Sequence, residues 1–174
     1  MGREAVPQPA ESHEQREFGF AEGVAAATDR ICELYESAGR DLVVYINGSG
    51  VNVGKTHVEG AIRRELMRRG IGTSNLGSGT MSDLRWRQEH LGERDADKPH
   101  VVFFHTVTEL VTRKGTAYND MGRGDEFVPV DLFVAVYRPD KPFREHPELD
   151  ILGDIVIKNE FASDDPVKLG IHRP

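Results

Sequence analysis

The chain of 174 residues has a single cysteine, Cys32, and therefore cannot form an internal disulfide. Disulfide-dense secreted folds are excluded, and the cysteine content gives no indication of an oxidising compartment. Long apolar runs are also missing: no stretch approaches the length of a membrane span, and the amino terminus lacks the apolar segment of a signal peptide. We therefore expect a cytoplasmic protein without membrane association, in which Cys32 is a small core residue.

Positive charge is scarce as well, since 22 lysines and arginines are set against 29 acidic residues, for a net charge of −7. Proteins that bind the phosphate backbone of nucleic acids usually carry a clustered basic surface, so we expect no nucleic-acid partner. The first 20 residues are polar, contain proline and show no periodicity. This predicts a flexible tail over residues 1–20 and a single domain over residues 21–174. The sequence gives no support for an oligomer.

One segment has the glycine, lysine and threonine arrangement of a phosphate-binding loop. It reads GSGVNVGKT, follows an apolar run and precedes a helical pattern. Small residues let backbone N–H groups converge on phosphate oxygens, and the following helix directs the positive end of its dipole there. Lys55 is expected to reach the β- and γ-phosphates of ATP, and the Thr56 hydroxyl to bind Mg²⁺. The predicted phosphate-binding residues are Gly48, Ser49, Gly50, Val51, Asn52, Val53, Gly54, Lys55 and Thr56.

The sequence on both sides of this loop supports the interpretation. Before it, Leu42 to Ile46 is short, rich in β-branched residues and free of charge, as in a strand covered on both faces of a parallel sheet. After it, Val58, Ile62 and Leu66 recur at helical steps, and Gly70 marks a C-terminal stop. Strand, glycine loop and helix therefore follow one another in the order that a phosphate site requires.

The loop departs from the usual pattern at Ser49, where a glycine is expected, while Gly48 lies one residue earlier. Either Ser49 replaces the first glycine, or the loop is one residue longer. The spacing from Gly48 to Gly54, followed by lysine and threonine, resembles the loop of dethiobiotin synthetase and its ATPase relatives, whereas nucleotide kinases usually keep the shorter form. A turn without a ligand is disfavoured, since it would not require Gly54, Lys55 and Thr56.

Further strand-like runs alternate with helical patterns along the chain. The strand-like runs cover residues 71–76, 100–105, 130–137 and 154–158, and the helical patterns cover residues 24–35 and 82–91. This alternation predicts an α/β fold with a three-layer, doubly wound, mainly parallel five-stranded sheet and helices on both faces. Ligands of such sheets bind at the carboxyl ends of strands, which selects the glycine loop and the segments after Leu76, His105 and Tyr137.

Two further segments carry a resemblance to a family. Residues 76–81, LGSGTM, are similar to the stretch through which nucleoside monophosphate kinases pass from the second strand into the acceptor-nucleotide helix. Residues 154–160, DIVIKNE, resemble the final strand of the same P-loop kinase-like superfamily. The resemblance covers Asp41 to about Gly170 and implies the P-loop fold, with ATP and Mg²⁺ as cofactors and a small-molecule acceptor, such as a nucleotide, as partner.

The resemblance also implies roles for individual residues. Lys55 would act on the transferring phosphoryl group, and the region of Arg138, Lys141 and Arg144 takes the place of the cationic lid. Fixed positive charge near that group lowers the barrier to transfer. The catalytic candidates are therefore Lys55, Arg138 and Arg144, and the metal ligand is Thr56. The candidate acceptor residues are Ser78, Gly79, Asp83, Arg85, Arg87 and His105.

The chain lacks one feature that the kinase pattern requires. Its third strand ends in His105 and Thr106, with no acidic residue where magnesium usually finds a carboxylate. Candidates for that carboxylate elsewhere in the chain are Asp83, Glu109, Asp120 and Asp125. If a helix begins directly after the strand, His105 and Glu109 share one face and form an acid/base pair or part of a metal site. We favour the simpler interpretation of a strand-end histidine and an exposed acid.

Residues 115–128 are polar and glycine-rich, and they lie between two ordered elements. A loop of this length in a compact domain is usually functional or mobile. We therefore predict either a flap over the acceptor site or an exposed connector for this segment.

We expect a magnesium-dependent, ATP-binding, kinase-like phosphotransferase that acts on a small acceptor. Two alternatives stay open. The longer glycine loop favours an ATP-dependent ligase or synthetase of the dethiobiotin-synthetase type, while the missing strand-end carboxylate favours a nucleotide-sensing or partner-binding module with little turnover.

Overall fold

A computed structural model of the protein describes residues 16–78, 98–105, 109–111, 116–119, 122–127, 130–143 and 153–161. In chain order, the elements of these residues are β1 (Arg16–Phe18), α1 (Phe20–Ala38), β2 (Leu42–Gly48), α2 (Lys55–Arg68), β3 (Thr73–Ser78), β4 (Val101–His105), β5 (Glu109–Val111), β6 (Thr116–Asn119), β7 (Gly122–Phe127), β8 (Leu132–Tyr137) and β9 (Ile155–Lys158).

Six of the strands form the main sheet in the order β1-β9-β8-β2-β4-β3, and every neighbouring pair is parallel. The α/β class and the mainly parallel sheet are therefore confirmed, but the predicted count of five strands is wrong. The additional strand is β1, which lies within the predicted tail and pairs with β9 through Arg16↔Ile155 to Phe18↔Ile157. A segment of three residues, Arg16 to Phe18, is too short to show a strand pattern, and its pairing partners lie far along the chain.

The two helices of the described residues pack on the same face of this sheet. Ala27 and Ile31 of α1, together with Ile62 of α2, belong to one buried cluster with side chains that alternate along the strands. The strand members of that cluster are Leu42, Val44, Ile46, Val101, Phe103, Leu132, Val134, Val136, Ile155 and Ile157. Helices on both faces were predicted, whereas the helices of the described ranges cover one face only. Neither of them is long and apolar enough to cross a membrane.

The opposite face of the sheet is also buried. Tyr45 on the central strand packs between Phe104 and Phe133, with ring centroids 5.6 and 6.4 Å apart. All three side chains are at most 5 % exposed. Strand β5 lies against β2 in the fold. The apolar strand runs of the sequence thus reflect burial on both faces, as expected for parallel strands.

Strands β5, β6 and β7 form a separate antiparallel sheet. Strands β6 and β7 fall within residues 115–128, for which a flap or an exposed connector was predicted, and they pair with each other from Thr116↔Phe127 to Asn119↔Gly122. Backbone pairing between neighbouring strands can form without an apolar pattern. The choice between a flap and a connector stays a prediction.

Three aspartates stabilise the main sheet at the amino-terminal ends of its strands. Asp41, Asp131 and Asp154 each directly precede a strand, and each accepts a backbone N–H from the neighbouring strand or its approach, at 2.7, 2.8 and 2.9 Å. The donors are His100, Val43 and Phe133, respectively. These carboxylates satisfy backbone donors at the ends of the strands that lie opposite to the glycine loop, so their role is structural.

Candidate functional site

The glycine loop lies where the chain leaves two adjacent strands in opposite directions. From β2 the chain passes through α2 to β3, beyond β4 on one side, whereas from β8 it continues to β9 on the other side. In open α/β sheets, a crevice forms outside the carboxyl ends of the strands at such a switch point, and ligands bind there. The loop after β2 and the segment after β8 therefore border the expected crevice.

The backbone of the loop is shaped to begin helix α2 without a side-chain cap. Gly54 is the N-cap residue and adopts a left-handed conformation with φ 93° and ψ 25°, and Asn52 has φ 58°. Because the N-cap residue is a glycine, it has no side chain that could accept a hydrogen bond from the first N–H groups of α2. The first N–H groups of a helix have no partner within it, and the helix dipole adds positive potential at the same end. This end of α2 therefore has the character of an anion site.

Side chains from the segments after β8 and β9 hold three consecutive carbonyl groups of the loop. These are the carbonyls of Val51, Asn52 and Val53, and the donors are Lys141 Nζ at 3.2 Å, Arg138 Nη1 at 3.3 Å and Asn159 Nδ2 at 3.1 Å. In a planar trans peptide, the C=O of one residue and the N–H of the next point in opposite directions. The N–H groups of Asn52, Val53 and Gly54 are thus directed away from these supporting side chains.

Lys55 lies within the loop and is almost fully buried, with 9 % of its surface exposed. Its ammonium group donates to the Gly50 carbonyl at 2.9 Å. Burial lowers the pKa of Lys55, because the charged form loses hydration. A buried cation beside an uncapped helix start is suited to an anionic ligand, since the anion would compensate its charge.

Gly48 leaves room for the Lys55 side chain in its observed position. A Cβ atom at residue 48 would lie 2.6 Å from Lys55 Cδ and 2.7 Å from Nζ, whereas a Cβ at Gly50 would meet no atom within 4 Å. Ser49 has no positive φ and is fixed by two bonds. Its N–H donates to the Val136 carbonyl at 3.1 Å, and its hydroxyl donates to the Lys141 carbonyl. Of the two alternatives, this geometry favours the longer loop with Gly48 as its first glycine.

Arg138 supports the loop from the turn that follows β8. Its guanidinium binds both carboxylate oxygens of Asp140, at 2.9 and 2.6 Å, while the side chain itself is 8 % exposed. A further N–H of the guanidinium donates to the Asn52 carbonyl, so Arg138 links the loop to the turn after β8. The Arg138–Lys141 turn is closed by a backbone bond from the Lys141 N–H to the Arg138 carbonyl at 2.9 Å.

A buried acid lies one helical turn from Lys55. Glu59 is 1 % exposed, and its Oε2 is 2.9 Å from Nδ1 of His105, at the end of β4. Its Oε1 lies 3.6 Å from Nη1 of Arg63. The alternative in which His105 and Glu109 share one helix face does not apply, because Glu109 opens strand β5. The favoured interpretation of a strand-end histidine agrees with the position of His105 at the end of β4.

The remaining predicted residues are placed as follows. Thr56 is the second residue of α2 and is exposed, and Ser78 ends β3 beside His105. Arg144, Gly79, Asp83, Arg85, Arg87 and the predicted helix over residues 82–91 lie outside the described residues. Among the described residues, no group of three or more histidine, cysteine, aspartate or glutamate side chains could hold a metal ion.

Glu59 and Asn159 were not predicted as site residues. Glu59 follows Val58 directly and lies at helical spacing from Ile62 and Leu66, so it borders the apolar stripe of α2, and this position was the available indication of burial. Asn159 follows directly on an apolar strand, where ligand-site residues concentrate. Its partner Val53 is 106 residues away, and no local pattern encodes that contact.

In comparisons with protein-family models, curated proteins and solved structures, no match to this chain was found.

Proposed function

We propose that the protein is a magnesium-dependent, ATP-binding phosphotransferase that transfers the γ-phosphoryl group to a small-molecule acceptor. The observation that carries the proposal is the arrangement of the loop from Gly48 to Thr56. Three of its consecutive carbonyls are bound by side chains behind it, its helix start is uncapped, and its lysine is buried. Together these features suit a triphosphate with several negative charges.

The residues present fit the two ligands. The N–H groups of Asn52, Val53 and Gly54 would bind phosphate oxygens, and Lys55 would exchange the Gly50 carbonyl for the β- and γ-phosphates. The exposed Thr56 hydroxyl would hold Mg²⁺, which supplies neutralisation of the developing charge when bound. Arg138 and Lys141 would keep the loop in the binding conformation, since each holds one of its carbonyls.

Transfer of the phosphoryl group needs position and charge more than covalent participation by the protein. Lys55 would stabilise charge on the equatorial oxygens of the group in transfer. The segment after β8 lies on the same edge of the sheet, and it is the expected location of further cations that include Arg144. No covalent enzyme intermediate is required.

An ATP-dependent ligase or synthetase is the second candidate. The observation that favours it is the close approach of Lys55 to residue 48. This approach favours Gly48 as the first glycine of the loop over the alternative in which Ser49 replaces that glycine. That spacing is similar to the loop of dethiobiotin synthetase. In this case, the phosphoryl group would activate a carboxylate or carbamate, and inorganic phosphate would be released.

A thermal-shift screen of nucleoside triphosphates with Mg²⁺, followed by product analysis with small acceptors, tests the proposal. A phosphorylated acceptor and ADP would support the phosphotransferase. A ligated or cyclised product with free phosphate would support the synthetase. Nucleotide stabilisation without any product would support a sensing module, and the absence of stabilisation by every triphosphate would refute the site itself.

A further inference from the structure

Glu59 and His105 form a hydrogen-bonded pair that has no role in the proposed phosphate site. It joins a side chain of α2 to one at the carboxyl end of β4, at an N–O distance of 2.9 Å. The glutamate is 1 % exposed and the histidine side chain 12 % exposed. Burial of a polar or charged group is costly unless that group is paired. In this contact, each side chain supplies the partner of the other.

The pair fixes which nitrogen of His105 carries the proton. An ionised carboxylate only accepts hydrogen bonds, and the other oxygen of Glu59 lies 3.6 Å from the Arg63 guanidinium, which only donates. The Nδ1 atom of His105 therefore donates, and in the neutral ring Nε2 keeps a free electron pair. This is the tautomer of a general base whose orientation is set by a neighbouring acid.

The histidine also lies close to the predicted phosphate position. Lys55 and Glu59 are four residues apart on α2 and so are neighbours on its surface, separated by about one turn of 5.4 Å. Strand β4 is adjacent to β2, the strand that delivers the glycine loop, and both strands end at the same edge. His105 therefore borders the space next to the donor phosphates.

The charged groups around His105 are few among the described side chains. Glu59 faces it from α2, Arg63 lies beyond Glu59, and Lys55 is one turn away. The last three residues of β2, Ile46 to Gly48, carry no charge, and neither does Ser78, which pairs with His105 from β3. Glu59 is therefore the dominant charge that acts on the ring.

We propose that the acceptor is an alcohol and that His105, oriented by Glu59, removes its proton during transfer. This inference rests on the proposed phosphotransferase function. A hydroxyl group keeps its proton at neutral pH, whereas a phosphate or a carboxylate acceptor is already an anion and needs no base. A histidine positioned as a base thus favours a hydroxyl acceptor over a nucleotide phosphate or a carboxylate.

The step balances without a further reactant. The acceptor oxygen forms a bond to the γ-phosphorus as its proton moves to Nε2 of His105. The bond between that phosphorus and the β–γ bridging oxygen breaks, and ADP leaves with the electron pair. The imidazolium formed is stabilised by the Glu59 carboxylate and then releases its proton to solvent. His105 is the catalytic residue of this step, and Glu59 is its positioning residue.

The test compares matched acceptor pairs with the full-length protein, ATP and Mg²⁺. Each pair contains an alcohol and its anionic counterpart, such as a nucleoside with its 5′-monophosphate or a sugar alcohol with its sugar acid. We expect phosphorylation of an alcohol and an acidic limb in the pH profile of kcat. His105→Gln should lower kcat about 100-fold or more and abolish that limb. Imidazole should restore part of the activity of His105→Ala.

Two variants separate positioning from structure. Glu59→Gln can still accept from Nδ1 but removes the negative charge, so its acidic limb should move to lower pH. His100→Gln is the matched control, because His100 lies at the opposite end of the strand, against Ser74, and it should leave the pH profile unchanged. Stabilisation by MgATP in each variant confirms that the phosphate site is intact.

Transfer to the phosphate or carboxylate oxygen of the anionic member of each pair, with kcat of His105→Gln within about twofold of the native enzyme, would overturn this inference and leave the proposed function standing. MgATP binding without transfer to any alcohol would overturn it as well. If the native protein shows no MgATP binding, the proposed function itself fails and the inference fails with it.

Discussion

Asn159 and Val53 are joined by a buried hydrogen bond in which the side-chain amide of Asn159 donates to the Val53 carbonyl at 3.1 Å. Asn159 is 1 % exposed, and its own N–H donates to the Tyr137 carbonyl at 2.8 Å. Its side-chain oxygen accepts the N–H of Phe161 at 3.1 Å. The residue that follows β9 thus links the glycine loop to the ends of β8 and β9.

Asn159→Ala should destabilise the protein and weaken nucleotide binding. It leaves the buried Val53 carbonyl without its side-chain donor, which costs about 1–3 kcal/mol in unfolding free energy. Urea denaturation measures this loss, and a reduced thermal shift with MgATP measures the effect on the loop. Glu160→Gln is the control, because the Glu160 side chain is 66 % exposed, and its effect should be within about 0.5 kcal/mol. Equal stability of the two variants would contradict this role of Asn159.

Gly48→Ala should weaken nucleotide binding, whereas Gly50→Ala should leave the stability of the protein nearly unchanged. The new methyl group at residue 48 would displace the Lys55 side chain from its place, so we expect MgATP affinity to fall about tenfold or more. The methyl group at residue 50 meets open space, so unfolding free energy should change by no more than about 0.5 kcal/mol. Calorimetric titration and urea denaturation check the two expectations. Unaltered MgATP affinity of Gly48→Ala would count against the position assigned to Lys55.

Lys55→Met should stabilise the protein at neutral pH. The pKa of Lys55 is lowered by burial, so below that pKa the fold bears the penalty of a buried charge. Between the lowered pKa and the ordinary value, the unfolded chain binds more protons, and stability rises with pH. The loss of the bond to Gly50 offsets part of the gain. We expect a net gain of about 1 kcal/mol, or a Tm rise of about 2–4 °C.

Melting temperatures of the native protein and of Lys55→Met, measured from pH 7 to above pH 10, check this prediction. The difference should narrow as pH rises, because native Lys55 then becomes neutral in the fold. A lower Tm for Lys55→Met that does not depend on pH would show that the ammonium group is a net stabiliser.

Tyr137 should make the protein sensitive to alkali. Burial, followed by a hydrogen bond to Glu17 and nearby negative charge, raises the pKa of Tyr137 to about 12. The neutral phenol therefore contributes stability that is complete below pH 10 and is lost as pH rises toward 12. Tyr137→Phe should reduce the decline of stability over this window. Urea denaturation at pH 9 and pH 11 measures the decline, and an equal decline in both proteins would exclude Tyr137 as its source.

The parts of the fold that were predictable are those in which local pattern and tertiary environment agree. The runs that became β2, β4 and β8 are apolar because both faces of the sheet are buried, and Val58 of α2 is at helical spacing from the other buried residues of its face. The helix α1 ends at Gly39, whose left-handed conformation with φ 62° suits glycine. In these segments, neighbouring residues alone contain the necessary information.

The parts that were not predictable depend on distant partners. Strand β1 is a three-residue strand that pairs with β9, and β6 and β7 are formed within a glycine-rich segment that has no apolar alternation. The position of Glu59 beside the apolar stripe of α2 is a weak indication of burial, but its partner His105 lies 46 positions away. No local pattern encodes that contact.

Calorimetric titration of MgATP into the native protein, Lys55→Met and Lys158→Met measures whether the glycine loop binds a nucleoside triphosphate through Lys55. Lys158 is a matched lysine at the end of β9 that pairs with Glu160 near the surface. We predict saturable binding to the native protein and to Lys158→Met, and no detectable binding to Lys55→Met, although that variant is folded. MgATP binding of equal affinity to Lys55→Met, or no binding to the native protein, would contradict this prediction.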